Sequence, residues 1–516
     1  MVEKTKKEPR SKSCDSCRQV KTRCDRYASH NRVCSRCRDL KLECQFTANF
    51  KRVAKRTRPK RTQHANTSGE ELNNLERTIQ RVFSTETDVT KFFQDPMNLC
   101  KGQKCIGKLS FQPTEIDSYF KTFLDKMYIQ WPFIAVLPIE QIYENSQLLF
   151  WTIVTVASRL HYRWTYESLQ PELKSLVSLI LVNGDQRIET CQSLLLLSLW
   201  PLDVKHPHNN PLFMYPRLAI TIAFERGLHR PGFIREFSHI NQRSDIDGCT
   251  TDVRCRTWYT AYFVDHIMSS RGGSPCFVND DWVFRRLLSI VPPRDMAEQC
   301  QVALLRSRFL NSIAYEGATP SGLAPSVERK SLLWLFDSQL NDIEIKLESV
   351  YSKLLLYSTR VVIAGFCLAD DLQESGDMKS LILKGYNNAL TILDKVSELD
   401  QFSLPEHILR YVCYCAILAV QLRISGKLTG DNFSRSNEII DRVVQLLLPL
   451  AFGGDFATRS KVVLEPYRHD MDHISNGVAV HSRMSANMYW DAVNRKKGEH
   501  NWSVSTLDIW NELFTL

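Results

Sequence analysis

From about residue 92 to residue 450, apolar residues recur three and four positions apart and strand-like alternation is scarce. That period predicts amphipathic helices. Candidates lie at 114–129, 146–163, 190–200, 212–227, 252–270, 330–348, 352–370, 379–398, 405–424 and 435–450, joined by polar loops such as RPGFIREFSHINQRSDIDG. The expected fold class is therefore mainly α, with a large all-α domain over 92–450. The densest apolar runs, LLFWTIVTVASRL (148–160) and CQSLLLLSLWPL (191–202), stop short of the ~20 residues that a membrane-spanning helix needs. Both read as buried helices, and no membrane partner is expected. Upstream the pattern shrinks to Leu72, Leu75, Ile79 and Val82, spaced 3, 4, 3 as at alternate a and d positions. Two heptads suit a short parallel coiled coil over 72–84 and hence a homodimer; an amphipathic helix packed on its own domain is the competing use. A helix so short is marginal alone and needs a partner strand or the following domain.

Charge changes the picture at one end. The 516-residue chain carries +9, but residues 1–61 hold twenty Lys or Arg against six acids, so the other 455 residues carry −5. Such segregation points to a polyanionic partner for the N-terminus and an ordinary solvated surface elsewhere. No apolar run follows MVEKTKKEPRSK, so no secretory signal is expected. In a reducing compartment, clustered cysteines are metal ligands rather than disulfides.

Six of the sixteen cysteines fall in one short segment, spaced Cys14-x2-Cys17-x6-Cys24-x9-Cys34-x2-Cys37-x6-Cys44. A structural zinc takes four ligands in a tetrahedron, so two separate sites would need eight. The nearby His30 lies outside the repeat. If two cysteines bridge, six suffice for one binuclear cluster; a single zinc with two idle cysteines leaves the repeat unexplained. A segment this short buries no useful core, so metal coordination must supply its folding energy. Each CxxC can start a short helix whose N–H groups face the thiolates. Six thiolates and two Zn²⁺ sum to −2, which leaves a large positive surplus for phosphate.

On these residues the segment resembles the fungal Zn₂Cys₆ binuclear cluster domain of transcription regulators. The resemblance implies that Cys14 and Cys34 bridge, that Cys17 and Cys24 complete one zinc, and that Cys37 and Cys44 complete the other. It also implies double-stranded DNA as partner. Between Cys17 and Cys24, the stretch Arg18, Gln19, Val20, Lys21, Thr22, Arg23 is similar to the family's basic first helix, in which a lysine at the Lys21 position reaches base edges in the major groove. Lysine donors suit the O6 and N7 acceptors of guanine, and related domains read CGG-like triplets. Arg18 and Arg23 are expected on phosphates, and Arg36, Arg38 and Lys41 of the second half to position rather than specify. The loop DRYASHNRV has no proline before the fourth cysteine, where the family commonly carries one.

Beyond the cluster, KRVAKRTRPKR (51–61) supplies Lys51, Arg52, Lys55 and Arg56 for phosphate contacts and suits a nuclear import signal. ANFKRVAKRTR resembles the linker of the fungal leucine-pathway regulator subgroup. Three later stretches resemble the fungal transcription factor regulatory domain: SYFKTFLDKMYIQWPFIAVLP (118–138), RLAITIAFERGLHRPG (217–232) and DVRCRTWYTAYFVDHIMSSRGGSP (252–275), the last with Arg254, Arg256, Trp258, Tyr259, Tyr262 and Asp265 in matching order. Its turn reads RGGSP where the family has Gly-Arg-Pro. No Gly-rich phosphate loop, nucleophile elbow or triad motif is present, so no enzyme is expected. His469 and His473 lack the adjoining Glu of a zinc-protease motif, and Cys413 and Cys415 read as buried thiols. The Trp258–Tyr259 pair reads as core. The terminal LDIWNELFTL suits either an activation segment that folds onto coactivators or a helix docked on its own domain.

The expected layout is a basic arm (1–13), the zinc cluster (14–44), a basic linker (45–71), the coiled coil (72–84), the helical regulatory domain (92–450) and a tail (451–516). The function so read is a nuclear, sequence-specific regulator, an activator of RNA polymerase II genes, with two structural Zn²⁺ and a small-molecule effector implied by the resemblance. The competing class is a helical metabolite-binding or enzymatic protein carrying a zinc module for partner contact.

Overall fold

The computed structural model describes residues 13–25, 33–47 and, with gaps in the loops, 89–488. The chain divides into two compact units, Met1–Asn74 and Leu75–Leu516. The described residues of the first unit hold two five-residue helices, α1 (Asp15–Gln19) and α2 (Ser35–Asp39), each opening directly after a cysteine.

Among its described residues the second unit is helical apart from one antiparallel hairpin, β1 (Lys104–Ile106) and β2 (Leu109–Phe111), with Lys104 opposite Phe111. It begins with α3 (Val89–Gln94). After the hairpin comes α4 (Pro113–Thr122), where proline occupies the first turn and Gln112 and Glu115 form a capping box. The expected 114–129 helix is not α-helical throughout: it widens into a π-helical stretch at Phe123–Tyr128. Next come α5 (Ile139–Asn145), α6 (Gln147–Ser158), α7 (Arg163–Val182), α8 (Ile188–Leu199), α9 (Met214–Glu225) and α10 (Thr251–Gly272). The remainder is α11 (Arg294–Ile313), α12 (Ser326–Glu344), α13 (Val350–Cys367), α14 (Gly376–Ser397), α15 (Glu406–Ile424), α16 (Asp431–Leu447) and α17 (Phe456–Leu464).

All ten candidate helices are present, and two of twenty residues were not expected. In α7 the interior Pro171 breaks the sequence signal, yet a buried stripe of Tyr166, Leu169, Leu173 and Val177 keeps the helix on its neighbours. In α11 the apolar period is interrupted by buried Glu298, Gln299 and Arg306. Glu298 is there to accept the backbone N–H groups of Glu348 and Ser349, both at 3.0 Å from its Oε2, which holds the chain entering α13.

The core runs through α6, α8, α10, α13 and α15. Helices α13 and α14 approach closely at Gly385, where an added Cβ would stand 2.3 Å from the Ala364 Cβ. By length and composition alone α13 and α15 could cross a membrane, whereas α6 and α8, at the densest apolar runs, are shorter; in α13 and α15, 78% and 83% of the apolar window is buried within this protein.

The α10 residues that resemble the regulatory domain turn inward. Asp265 is fully buried; its Oδ1 pairs with Arg217 at 2.5 Å and its Oδ2 accepts the N–H groups of Phe277 (2.7 Å) and Val278 (2.8 Å). Arg217 also stacks 3.7 Å from the Phe277 ring centroid. One carboxylate thus ties the segment that follows the RGGSP turn to α9. Arg256 pairs with Asp252 and donates to the Pro132 carbonyl and the Tyr128 hydroxyl, so it pins the Trp-Pro-Phe turn. Trp258 packs on Phe224 and His229, and Tyr259 has no exposed surface, as core residues should. Cys413 and Cys415 are likewise buried.

Candidate metal centre

Two cysteine groups whose sulfurs lie within 4.8 Å of one another occur among the described residues: Cys14, Cys17, Cys24, Cys34 and Cys14, Cys34, Cys37, Cys44. They share Cys14 and Cys34. The Sγ–Sγ distances are 3.9 Å for Cys14–Cys34, 3.7 Å for Cys14–Cys37 and 3.8 Å for Cys17–Cys34. A tetrahedron with Zn–S bonds of ~2.3 Å has edges of roughly 3.8 Å. Disulfide bonding requires ~2.05 Å, so these sulfurs are spaced for metal and not for one another. Six donors, two tetrahedra and one shared edge fit a binuclear zinc site, and one zinc with two idle cysteines leaves the second tetrad without a purpose.

The described residues of the unit around the site form no apolar core. Among its described residues only Cys14, Cys17, Cys34 and Cys37 are buried, while Val20, Val33, Leu40, Leu42 and Phe46 are exposed. The sulfurs are its interior. Burial pushes the Cys34 thiol up to about 12 and the Cys14 thiol further still. Burial acts the same way on Cys44, but the Cys34 N–H, 3.4 Å from its sulfur, brings that thiol below its ordinary value. The shared pair is therefore where two divalent cations are most needed to hold thiolates. Cys34 also accepts the Cys37 N–H at 3.4 Å, the helix-start arrangement expected for CxxC.

The halves repeat at an interval of twenty residues. Lys21 N–H donates to the Arg18 carbonyl and Thr22 N–H to the Cys17 carbonyl; Lys41 and Leu42 make the same bonds to Arg38 and Cys37. This is the Schellman ending, in which the residue just past the helix adopts a left-handed conformation. Lys21 (φ 57°) and Lys41 (φ 51°) occupy it, the two non-glycine residues with positive φ among those described. Helices α7 and α9 end with the same bonds but place Gly184 (φ 69°) and Gly227 (φ 66°) there. A side chain costs roughly 1–2 kcal/mol in this conformation. The cluster bears that cost twice, each time to carry a lysine.

The expected basic helix between Cys17 and Cys24 is thus cut short. It ends at Gln19, and Lys21 and Arg23 project from the exposed turn beyond it, while Arg18 is half-buried on the helix. The halves are also clasped: Asp15 accepts the N–H (2.9 Å) and hydroxyl (2.6 Å) of Thr47, Ser16 donates to the Glu43 carbonyl at 3.0 Å, and Asp25 accepts the Ser35 N–H at 3.0 Å. Lys51, Arg52, Lys55 and Arg56, the heptad residues Leu72, Leu75, Ile79 and Val82, the loop with His30, His473 and the terminal LDIWNELFTL lie outside the described residues. Nothing in the sequence marked Lys21 or Lys41 for the left-handed position.

Residues 12–53 match the fungal Zn(2)-Cys(6) binuclear cluster domain and residues 116–285 the fungal specific transcription factor domain. Relatives include the transcriptional regulatory protein SEF1 of Candida albicans, 25% identical over 61% of this chain and 35% of its own length. The putative transcription factor SEF1 of Kluyveromyces lactis is 22% identical over 75% of this chain and 35% of its own. The regulatory protein LEU3 of Saccharomyces cerevisiae is 22% identical over 48% and 30%. The chain spans about a third of the length of these curated relatives. No solved structure matches it.

Proposed function

We propose, for a chain that carries a fungal Zn(2)-Cys(6) binuclear cluster domain and a fungal specific transcription factor domain, that it is a sequence-specific DNA-binding transcription regulator acting in the nucleus. The observation that carries the reading is the pair of lysines held in left-handed turns on an all-cysteine core. A strained residue is retained where its side chain has work to do, and a lysine on a rigid, basic surface suits DNA.

Lys21 reaches guanine O6 and N7 in the major groove, Arg18 and Arg23 hold phosphate, and Lys41 presents a phosphate contact from the second half by the same backbone device. The linker residues Lys51, Arg52, Lys55 and Arg56 follow the backbone away from the triplet. Leu72, Leu75, Ile79 and Val82 pair two chains, so two CGG-like triplets are bound with a separation set by the linker. The helical unit passes a small-molecule signal to this machinery.

Selection of bound sites from random duplex DNA with the full chain is expected to return paired CGG-like triplets, bound more weakly as salt rises. Deleting residues 68–84 is expected to reduce the selected site to a single triplet and the chain to a monomer; an unchanged dimer overturns the coiled coil. Recovery of no preferred sequence overturns the regulator reading. The tail acts as an activation segment: residues 495–516 fused to an unrelated DNA-binding domain are expected to drive a reporter, and silence overturns that part.

A further inference from the structure

We propose that residues 482–488 form a strap on the helical unit that opens ahead of the helices beneath it, and so shifts the point at which the tail is attached. The strap contains one 3₁₀ turn, Arg483–Ala486, laid on α10, α11 and α13. Ala486 and Met488 are its apolar anchors, both buried. The Met488 methyl carbon lies 3.3 Å from where a Cβ would stand on Gly365, so α13 seats it on a glycine. Residues 489–516, which include LDIWNELFTL, follow the strap directly.

The polar groups of the strap oppose that seating. Arg483 is 8% exposed, and the Nε and Nη2 of its guanidinium are buried with no hydrogen-bond partner. Its Nη1 donates to the Asn311 Oδ1 on α11 at 2.8 Å, so a neutral amide is the guanidinium's one acceptor among the described residues. Its electrostatic neighbours are the Cys276 thiol and the Tyr315 phenol, neither of them a carboxylate, and burial pushes the guanidinium below its ordinary value. Asn487 adds another buried atom without a partner, its Oδ1. Arg360 shows the contrast: it is as deeply buried, but pairs with Asp337 at 3.3 Å and Glu344 at 2.7 Å. Burying donors unmet, and a cation with no opposite charge, costs free energy that water restores once the segment lifts.

Two apolar anchors thus work against three unmet polar atoms within one short turn, which sets the strap at the low end of local stability. The helices beneath it rest on long buried faces of their own. Seven residues reach about 23 Å when extended, so opening gives the tail that much more freedom from the helical unit. This goes beyond the regulator reading and involves no DNA. Either can fail while the other stands.

Hydrogen exchange of the full chain, resolved by peptide mass spectrometry, measures the opening. The Ser485 N–H, which donates to the Ser482 carbonyl at 3.0 Å, is a reporting amide. In the wild type the strap is expected to exchange faster than α10, α11 and α13. Two substitutions then remove the cause in different ways. Arg483→Met keeps the length of the side chain and deletes the charge, whereas Asn311→Asp keeps the shape and gives the guanidinium a carboxylate where it now meets an amide. Each is expected to slow exchange of the strap roughly tenfold and to leave the helices beneath unchanged. The Asn311→Asp effect is expected to vanish when Arg483 is already Met. Asn311 is exposed, so its variant folds even where the Arg483 variant does not. Slowing in either folded variant upholds the proposal. No slowing in both, or a wild-type strap as well protected as the helices it lies on, overturns it.

Discussion

Replacing Cys14 or Cys34 with serine is expected to strip both zinc ions from the chain and abolish DNA binding, whereas replacing Cys24 or Cys44 damages one tetrad directly. The difference follows from sharing: Cys14 and Cys34 belong to both four-sulfur groups, so loss of either leaves each metal three thiolates. The effect is large because the described residues of the unit form no apolar core that could take over. Its described interior is four cysteines, and its larger described apolar side chains are on the surface. Structural zinc contributes on the order of 10–16 kcal/mol in small metal-folded domains, far more than the clasps through Asp15, Ser16 and Asp25 can replace. Metal analysis of the purified full chain checks this, with two zincs per wild-type chain expected. A Cys14→Ser chain that keeps one firmly bound zinc sinks the shared-edge arrangement. Chelation is expected to abolish DNA binding while bulk helicity persists, since the helices of the second unit rest on their own core.

The second large effect separates the fold of the cluster from its readout. Lys21→Gly removes the side chain but supplies the residue that the left-handed turn prefers, as Gly227 does at the end of α9. The variant is expected to hold two zincs and to be no less stable, gaining about 1 kcal/mol. Affinity for the selected CGG-like site is expected to fall roughly 5- to 150-fold, the worth of a good base contact of ~1–3 kcal/mol, with little change on random duplex. Lys21→Ala is expected to lose the same specificity but also to destabilise the turn. Binding titrations on both DNAs, with zinc content measured in parallel, check the prediction. An equal loss on specific and random DNA moves Lys21 from base readout to phosphate contact, and an unchanged affinity removes it from the interface.

Much of the metal centre was legible in the sequence. Ligand spacing within each half is short, and the tethers leave the sulfurs few ways to meet around a metal. The backbone state of Lys21 and Lys41 was not legible, because a lysine in a left-handed turn carries no mark where a glycine would. Helix existence was read well wherever apolar residues kept their period. It was missed in α7 and α11, where Pro171 and the buried Glu298, Gln299 and Arg306 interrupt that period for reasons found only in neighbouring elements. The matching order of Arg254, Arg256 and Asp265 was visible in the sequence. Their partners were not: Arg217, the Pro132 carbonyl and the turn at Phe277–Val278 lie on other segments.

By itself, then, the sequence determined what local chemistry determines: a doubled cysteine rhythm that demands two metals, a basic N-terminal segment, and helical periods that place the rest of the chain in an α class. Only the tertiary structure decided which distant charges meet. Arg159, Asp203, Glu406 and Arg459 surround one cavity because several helices pack in one particular way, and Asp265 fixes a turn on a neighbouring segment. Metal ligation acts through short tethers that can be counted along the chain. Burial of charge depends on the whole packing, where each pairing is settled by helices that contribute nothing to it in sequence.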